Sequence, residues 1–178
     1  AVYVEMQHLA VEDVPTPKPG PGQVLVRVKY SAICGSDVHR FQYGMLKPGS
    51  IPGHEFCGAI AELGKGVTGW KVGDRVVGGG GTPPPDAPAP RSSAARYSAR
   101  TVGLGPGGSP GGYAEYVVMD AWRPLLIPDS VPDELAVLTE PCAVAVHAVR
   151  LSRLRLGDAV AVLGAGPIGL LCLQVVKA

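Results

Sequence analysis

The chain has 178 residues, room for one domain and part of a second at about 150 residues each. With 16 Lys+Arg against 15 Asp+Glu the net charge is +1, and charged residues make up only 17%, which excludes a basic nucleic-acid-binding face and an acidic solvating tail. Hydrophobic residues reach 46%, enough for a core, while Gly and Pro together make about a quarter of the chain and predict many turns.

Pro15, Pro17, Pro19, Gly20, Pro21 and Gly22 open with a turn that cannot be helix. Residues 23–30 then alternate, with Val24, Val26, Val28 and Tyr30 on one side and Leu25, Arg27 and Lys29 on the other, the period of a half-buried strand. Further strands are predicted over 56–63, 74–77 and 113–119, and their spacing predicts a small, bent β-barrel or sandwich. Residues 79–112 have no period and read as a long surface loop. After Pro128 the pattern turns helical. Ser130-Val131-Pro132-Asp133 resembles a capping box with proline in the first turn. Pro141 predicts a break that pushes Glu140 out of helical geometry, with a second helix over about 142–151. Residues 158–163 read as an apolar strand, residues 164–169 as a tight turn, and a helix follows from near Pro167. No apolar run reaches the roughly 18 residues of a membrane span. Residues 1–10 lack the charged-then-apolar pattern of a signal peptide, so a cytoplasmic location is the default expectation.

The cysteines at 34, 57, 142 and 172 form no C-x-x-C pair and are too few for a disulfide-stapled domain. Taken singly, each is a small buried hydrophobe. Three places could carry chemistry: Cys34-Gly35-Ser36-Asp37-Val38-His39, Gly53-His54-Glu55, and Glu140-Pro141. One sulfur, one nitrogen and one or two oxygens suit catalytic zinc, whereas structural zinc prefers four Cys or His ligands in paired spacing. Spacing alone leaves the plainer readings open: His54 as a hydrogen-bonded core residue, Glu55 and Glu140 as solvated carboxylates.

These residues also carry a resemblance. Gly53-His54-Glu55 with Gly58, Gly64 and Val67, followed by Val72-Gly73-Asp74-Arg75-Val76, resembles the signature of the zinc-dependent medium-chain dehydrogenase/reductase (alcohol dehydrogenase) family. Cys34 to His39, Gly111-Gly112-Tyr113-Ala114-Glu115-Tyr116-Val117 and Glu140-Pro141 are similar to its sorbitol and threonine dehydrogenase-like branch. The resemblance implies a mainly β, GroES-like bent barrel with flanking helices over 1–148. The first β-turn-α of an α/β Rossmann dinucleotide-binding domain is implied over 149–178. It implies that Cys34 and His54 bind catalytic zinc, and that Glu55 and Glu140 hold the two acidic positions that bind the metal or its water. Asp37 then matches the carboxylate that orients the ligand histidine, and Ser36 and His39 match a hydroxyl and a proton-relay histidine. Zinc would act as a Lewis acid on a bound alcohol and hydride would pass to NAD or NADP.

Gly164-x-Gly166-Pro167-Ile168-Gly169, between an apolar strand and an apolar helix, has the context in which glycines let a pyrophosphate approach a helix N-terminus. Two departures stand against the family pattern. No cysteine lies between Cys57 and Cys142, so the family's four-cysteine structural zinc is not expected. The sequence stops at Ala178, about where the first helix of the nucleotide-binding unit runs, before the acidic residue expected to meet the ribose. The expectation is therefore an incomplete zinc- and NAD(P)-dependent alcohol or polyol dehydrogenase, weakly active or inactive by itself. Its partners would be a small alcohol and either further copies of itself or a missing C-terminal half, with no nucleic acid and no membrane. The alternatives are half of a split dehydrogenase and a non-catalytic GroES-like scaffold.

Overall fold

In a computed structural model, residues 1–78 and 111–178 are described. The predicted loop over 79–112 lies outside them except for its last two residues. The organising element is the strand Gln23–Ala32 (β3, after β1 Val2–Glu5 and β2 His8–Ala10), which pairs antiparallel on both edges. One neighbour is β4, Glu55–Leu63; the other is β6, Tyr116–Asp120. Arg75–Val77 (β5) extends the sheet beyond β4 and Leu125–Leu126 (β7) closes the order β6-β3-β4-β5-β7. Among the described residues this sheet is open, and β1 and β2 form a separate two-stranded ladder.

Bending comes from irregular register. The β3–β4 pairing slips between Leu25 and Val26 and again between Val28 and Tyr30; each extra residue bends a strand and increases its twist. The expected alternation holds for exposed Arg27 and Lys29, but Leu25 is buried as well.

Alternation along the strands sorts side chains into two clusters. Val24, Val26, Phe56, Ile60, Val76, Val117 and Met119 form one. Their sequence neighbours Cys57 and Val77 point the other way, into a cluster with Ile127 and Ala136. Each fully buried aliphatic side chain contributes about 1.5–3 kcal/mol. Ala136 sits on α2, Asp133–Ala136 (α1 being Gly35–Gln42), and α2 is tied to the sheet by charge. Asp133 accepts from Lys29 Nζ at 2.7 Å and from Arg75 Nε and Nη2 at 2.9 and 2.6 Å. The buried Cys57 thiol donates to the Asp133 carbonyl at 3.2 Å.

Several local expectations need correction. The predicted strand 113–119 begins only at Tyr116: at its start Tyr113 donates its amide to the Pro52 carbonyl rather than to β3. The N-cap of α2 is Pro132, with no side-chain cap, so Ser130 does not build the expected capping box. Pro141 does not break a helix. It occupies the third position of α3, Thr139–Leu151, within the first turn, where a missing N–H costs nothing; Glu140 is accordingly helical.

The chain divides into two compact units, Ala1–Val137 and Leu138–Ala178. In the second, α3 packs against α4, Pro167–Lys177. Residues 158–163 form no ladder there; a parallel strand is stable only with neighbours to pair with, and the described residues offer it none. No helix among the described residues is long and apolar enough to cross a membrane.

Candidate metal centre

The sheet register delivers the first two candidate ligands to one place. Ala32, the last residue of β3, pairs with Glu55, the first of β4. Cys34 therefore lies two residues beyond one strand end and His54 one residue before the other. Twenty positions of sequence separation close across a single strand pair. One sulfur, one imidazole nitrogen and one carboxylate oxygen, from Cys34, His54 and Glu55, lie within 4.8 Å of one another.

Cys34 is fixed by the helix it starts. It is the N-cap of α1, extended at φ −75° and ψ 148°, and its sulfur accepts from the Ser36 amide at 3.5 Å. Asp37, third in the helix, returns the favour: its Oδ2 accepts from the Cys34 amide at 3.2 Å. The pair is a capping box with Cys in place of Ser or Thr, a substitution that hid the signal in the sequence.

Asp37 serves a second purpose. Its Oδ1 is 3.4 Å from Nδ1 of His54, both side chains being almost fully buried, and its Oδ2 accepts the Tyr113 hydroxyl at 2.9 Å. Burial pushes the Asp37 carboxyl up, but His54, Tyr113 and the Cys34 amide outweigh it and leave the group below its ordinary value. Tyr113 is driven the opposite way, its phenol raised by burial and then by the Asp37 carboxylate, so its hydroxyl stays a donor. Sequence reasoning assigned Tyr113 no role. The only signal was its place in the Gly111-Gly112-Tyr113 string.

Glu55 is buried at the start of β4, its carbonyl accepting from Ser31 Oγ at 3.2 Å. Ser36 is half-buried in the first turn of α1; His39, three residues on, is exposed and stacks obliquely on Tyr43 with ring centroids 4.7 Å apart. Glu140 belongs to the second unit, in the first turn of α3. In that unit too, Gly166 is the N-cap of α4, Pro167 and Ile168 open its first turn, and Gly164 has φ +108°. A Cβ on Gly169 would collide with the Gly164 carbonyl, so the turn can be this tight only with glycine there.

The donor set fits zinc. Donors about 2.0–2.3 Å from a shared tetrahedral ion lie about 3–4 Å apart, so a shift of roughly an ångström gathers the three. With Nδ1 facing Asp37, Nε2 is the ring nitrogen left for a metal, the carboxylate–histidine arrangement that supports metal-bound imidazoles.

Residues 20–129 match the alcohol dehydrogenase GroES-like domain. The chain belongs to the zinc-dependent medium-chain alcohol dehydrogenase family. It is 39% identical, over its whole length, to 54% of the (R,R)-butanediol dehydrogenase of Bacillus subtilis. To the L-threonine 3-dehydrogenase of Rhizobium rhizogenes it is 41% identical, over 95% of this chain and 50% of that one. Among solved structures, one described as a putative zinc-binding dehydrogenase from Sinorhizobium meliloti 1021 bound to NADP superposes with a TM-score of 0.82. That likeness covers 98% of this chain and 52% of the other at 32% identity. The chain thus spans about half the length of the dehydrogenases it matches, and its GroES-like fold is the family's.

Proposed function

We propose that this chain is the metal-binding part, with the beginning of the dinucleotide-binding part, of an enzyme that interconverts an alcohol or polyol and its ketone or aldehyde with NAD or NADP. The observation that carries this reading is the gathering of Cys34, His54 and Glu55 within 4.8 Å of one another, with Asp37 set against the imidazole of His54. Dehydrogenase relatives over 95% or more of the chain support the reaction class.

On this reading Cys34, His54 and Glu55 would hold one catalytic zinc. Bound there, zinc would supply Lewis acidity that makes an alcohol oxygen easier to deprotonate. The chain's own residues have the remaining tasks. Asp37 fixes the His54 ring so that one nitrogen is always presented. Ser36 and His39 lie three residues apart on α1 and so on one helix face; the half-buried hydroxyl would receive the alcohol's proton and the exposed imidazole would hand it to solvent. Gly164, Gly166, Pro167, Ile168 and Gly169 would admit the cofactor pyrophosphate to the start of α4. The remaining cofactor contacts would come from a second copy or from further chain. The domain assignment proposed is 1–148 for the catalytic part and 149–178 for the cofactor part. The substrate proposed is a small-molecule alcohol.

The test is to supply zinc, NAD or NADP and a panel of diols, amino alcohols and sugar alcohols, and to follow reduced nicotinamide. Alcohol-dependent reduction that disappears in Cys34→Ser supports the assignment. A rate indifferent to zinc and to Cys34→Ser contradicts it.

A further inference from the structure

Tyr113 is delivered to the metal centre by backbone, not by chance packing. Three consecutive amides donate to the segment ahead of His54: Gly111 to the Ile51 carbonyl at 2.7 Å, Gly112 to Gly53 at 2.8 Å and Tyr113 to Pro52 at 3.0 Å. Tyr113 and His54 therefore approach Asp37 from two segments that are themselves clamped together. The phenol lies beside the carboxylate before any ligand arrives, so little side-chain entropy remains to be lost in forming the bond.

The two Asp37 oxygens have different partners. Oδ2 accepts from the Cys34 amide and from the Tyr113 hydroxyl; Oδ1 is the oxygen beside His54 Nδ1. A carboxylate on its own rotates about its last torsion with a broad preference. Two donors on one oxygen pin that rotation and leave the other oxygen beside the imidazole, 3.4 Å from Nδ1.

We propose that Tyr113 is a positioning residue whose hydroxyl fixes the Asp37 carboxylate, and through it the tautomer and orientation of the His54 ring. The consequence for metal affinity rests on the function proposed above; the orientation of His54 does not. The phenol is absent from any bond-making step, and its effect passes through Asp37 alone.

The experiment compares the wild-type chain with Tyr113→Phe, which removes the hydroxyl and keeps the ring. Histidine nitrogen NMR on the metal-free proteins, at a pH where imidazoles are neutral, reads the His54 tautomer directly. Zinc affinity is measured alongside, by competition with a coloured chelator. The wild type is expected to hold His54 as the Nδ1–H form and Tyr113→Phe to show a mixture of tautomers. Zinc binding by Tyr113→Phe should be several-fold weaker, less than the roughly 10- to 100-fold expected when a ligand's direct partner is lost. Asp37→Asn should remove the difference, since Tyr113→Phe added to it has nothing left to act through. An unchanged tautomer in Tyr113→Phe overturns the proposal, even if the variant is less stable. A wild type that takes up no zinc while the tautomer still responds to Tyr113→Phe would overturn the metal reading and leave the positioning role standing.

Discussion

Gly53 and Tyr113 share space that a side chain at position 53 would need. A Cβ built on Gly53 would stand 2.7 Å from Tyr113 Cδ1 and 2.9 Å from the Tyr113 amide nitrogen, and the residue holds φ at +100°. The backbone atom cannot move aside without breaking the clamp between 51–53 and 111–113. Gly53→Ala should therefore destabilise the protein by about 2 kcal/mol or more, from a disfavoured φ together with the clash. Urea unfolding checks this, and zinc affinity should fall in step because His54 is the next residue.

The sheet core gives a prediction independent of the metal. Ile60 is 1% exposed and packs with Val24, Val26, Phe56 and Val76. Ile60→Ala should cost about 2–5 kcal/mol and Ile60→Val about 0.5–1.5 kcal/mol, read as shifts in the urea midpoint with little change in slope.

Asp133 predicts a pH dependence. The hydrogen bond from Lys29, and next that from Arg75, hold its carboxyl below the ordinary aspartate value. A group whose folded pKa is depressed adds stability that is present above its unfolded pKa, near 3.9, and lost as pH falls through the folded value. At neutral pH Asp133→Asn should be less stable than wild type by about 1–2 kcal/mol, from charge-assisted hydrogen bonds partly screened by solvent. Unfolding the pair at neutral pH and again near pH 3 should show the gap narrowing. A gap that stays constant would mean that the carboxylate charge is not what ties α2 to the sheet.

Much of this was legible in the sequence, and the rest failed for definite reasons. The β-branched alternation of Val24, Val26 and Val28 marks β3, and Phe56 to Leu63 marks β4 to within one residue, because Val24, Val26, Phe56 and Ile60 supply one core cluster. The ligand types Cys34, His54 and Glu55 were legible only as residues suited to zinc. Their meeting depends on the Ala32–Glu55 register, which two bulges set and no periodicity announces. The capping box of Cys34 and Asp37 has no sequence signature because Cys is not a usual cap. Residues 158–163 have the apolar run of a buried strand but find no neighbouring strand among the described residues. Pro141 departs from the expected break because a proline reads the same at a helix break and inside a first turn.

Zinc should also stabilise the folded chain. A metal that binds the native state alone raises the unfolding midpoint as its concentration passes the dissociation constant. The increase should be reversed by a chelator and abolished in His54→Ala; thermal melts with and without zinc read this out.

The most direct measurement is metal content. Wild-type and Cys34→Ser chains, each dialysed to equilibrium against the same micromolar zinc, would be analysed for bound metal and for retained secondary structure by circular dichroism. Wild type should retain about one zinc per chain and Cys34→Ser markedly less, with the same spectrum. Equal zinc in both, or none in the wild type, would contradict a shared ion between Cys34 and His54.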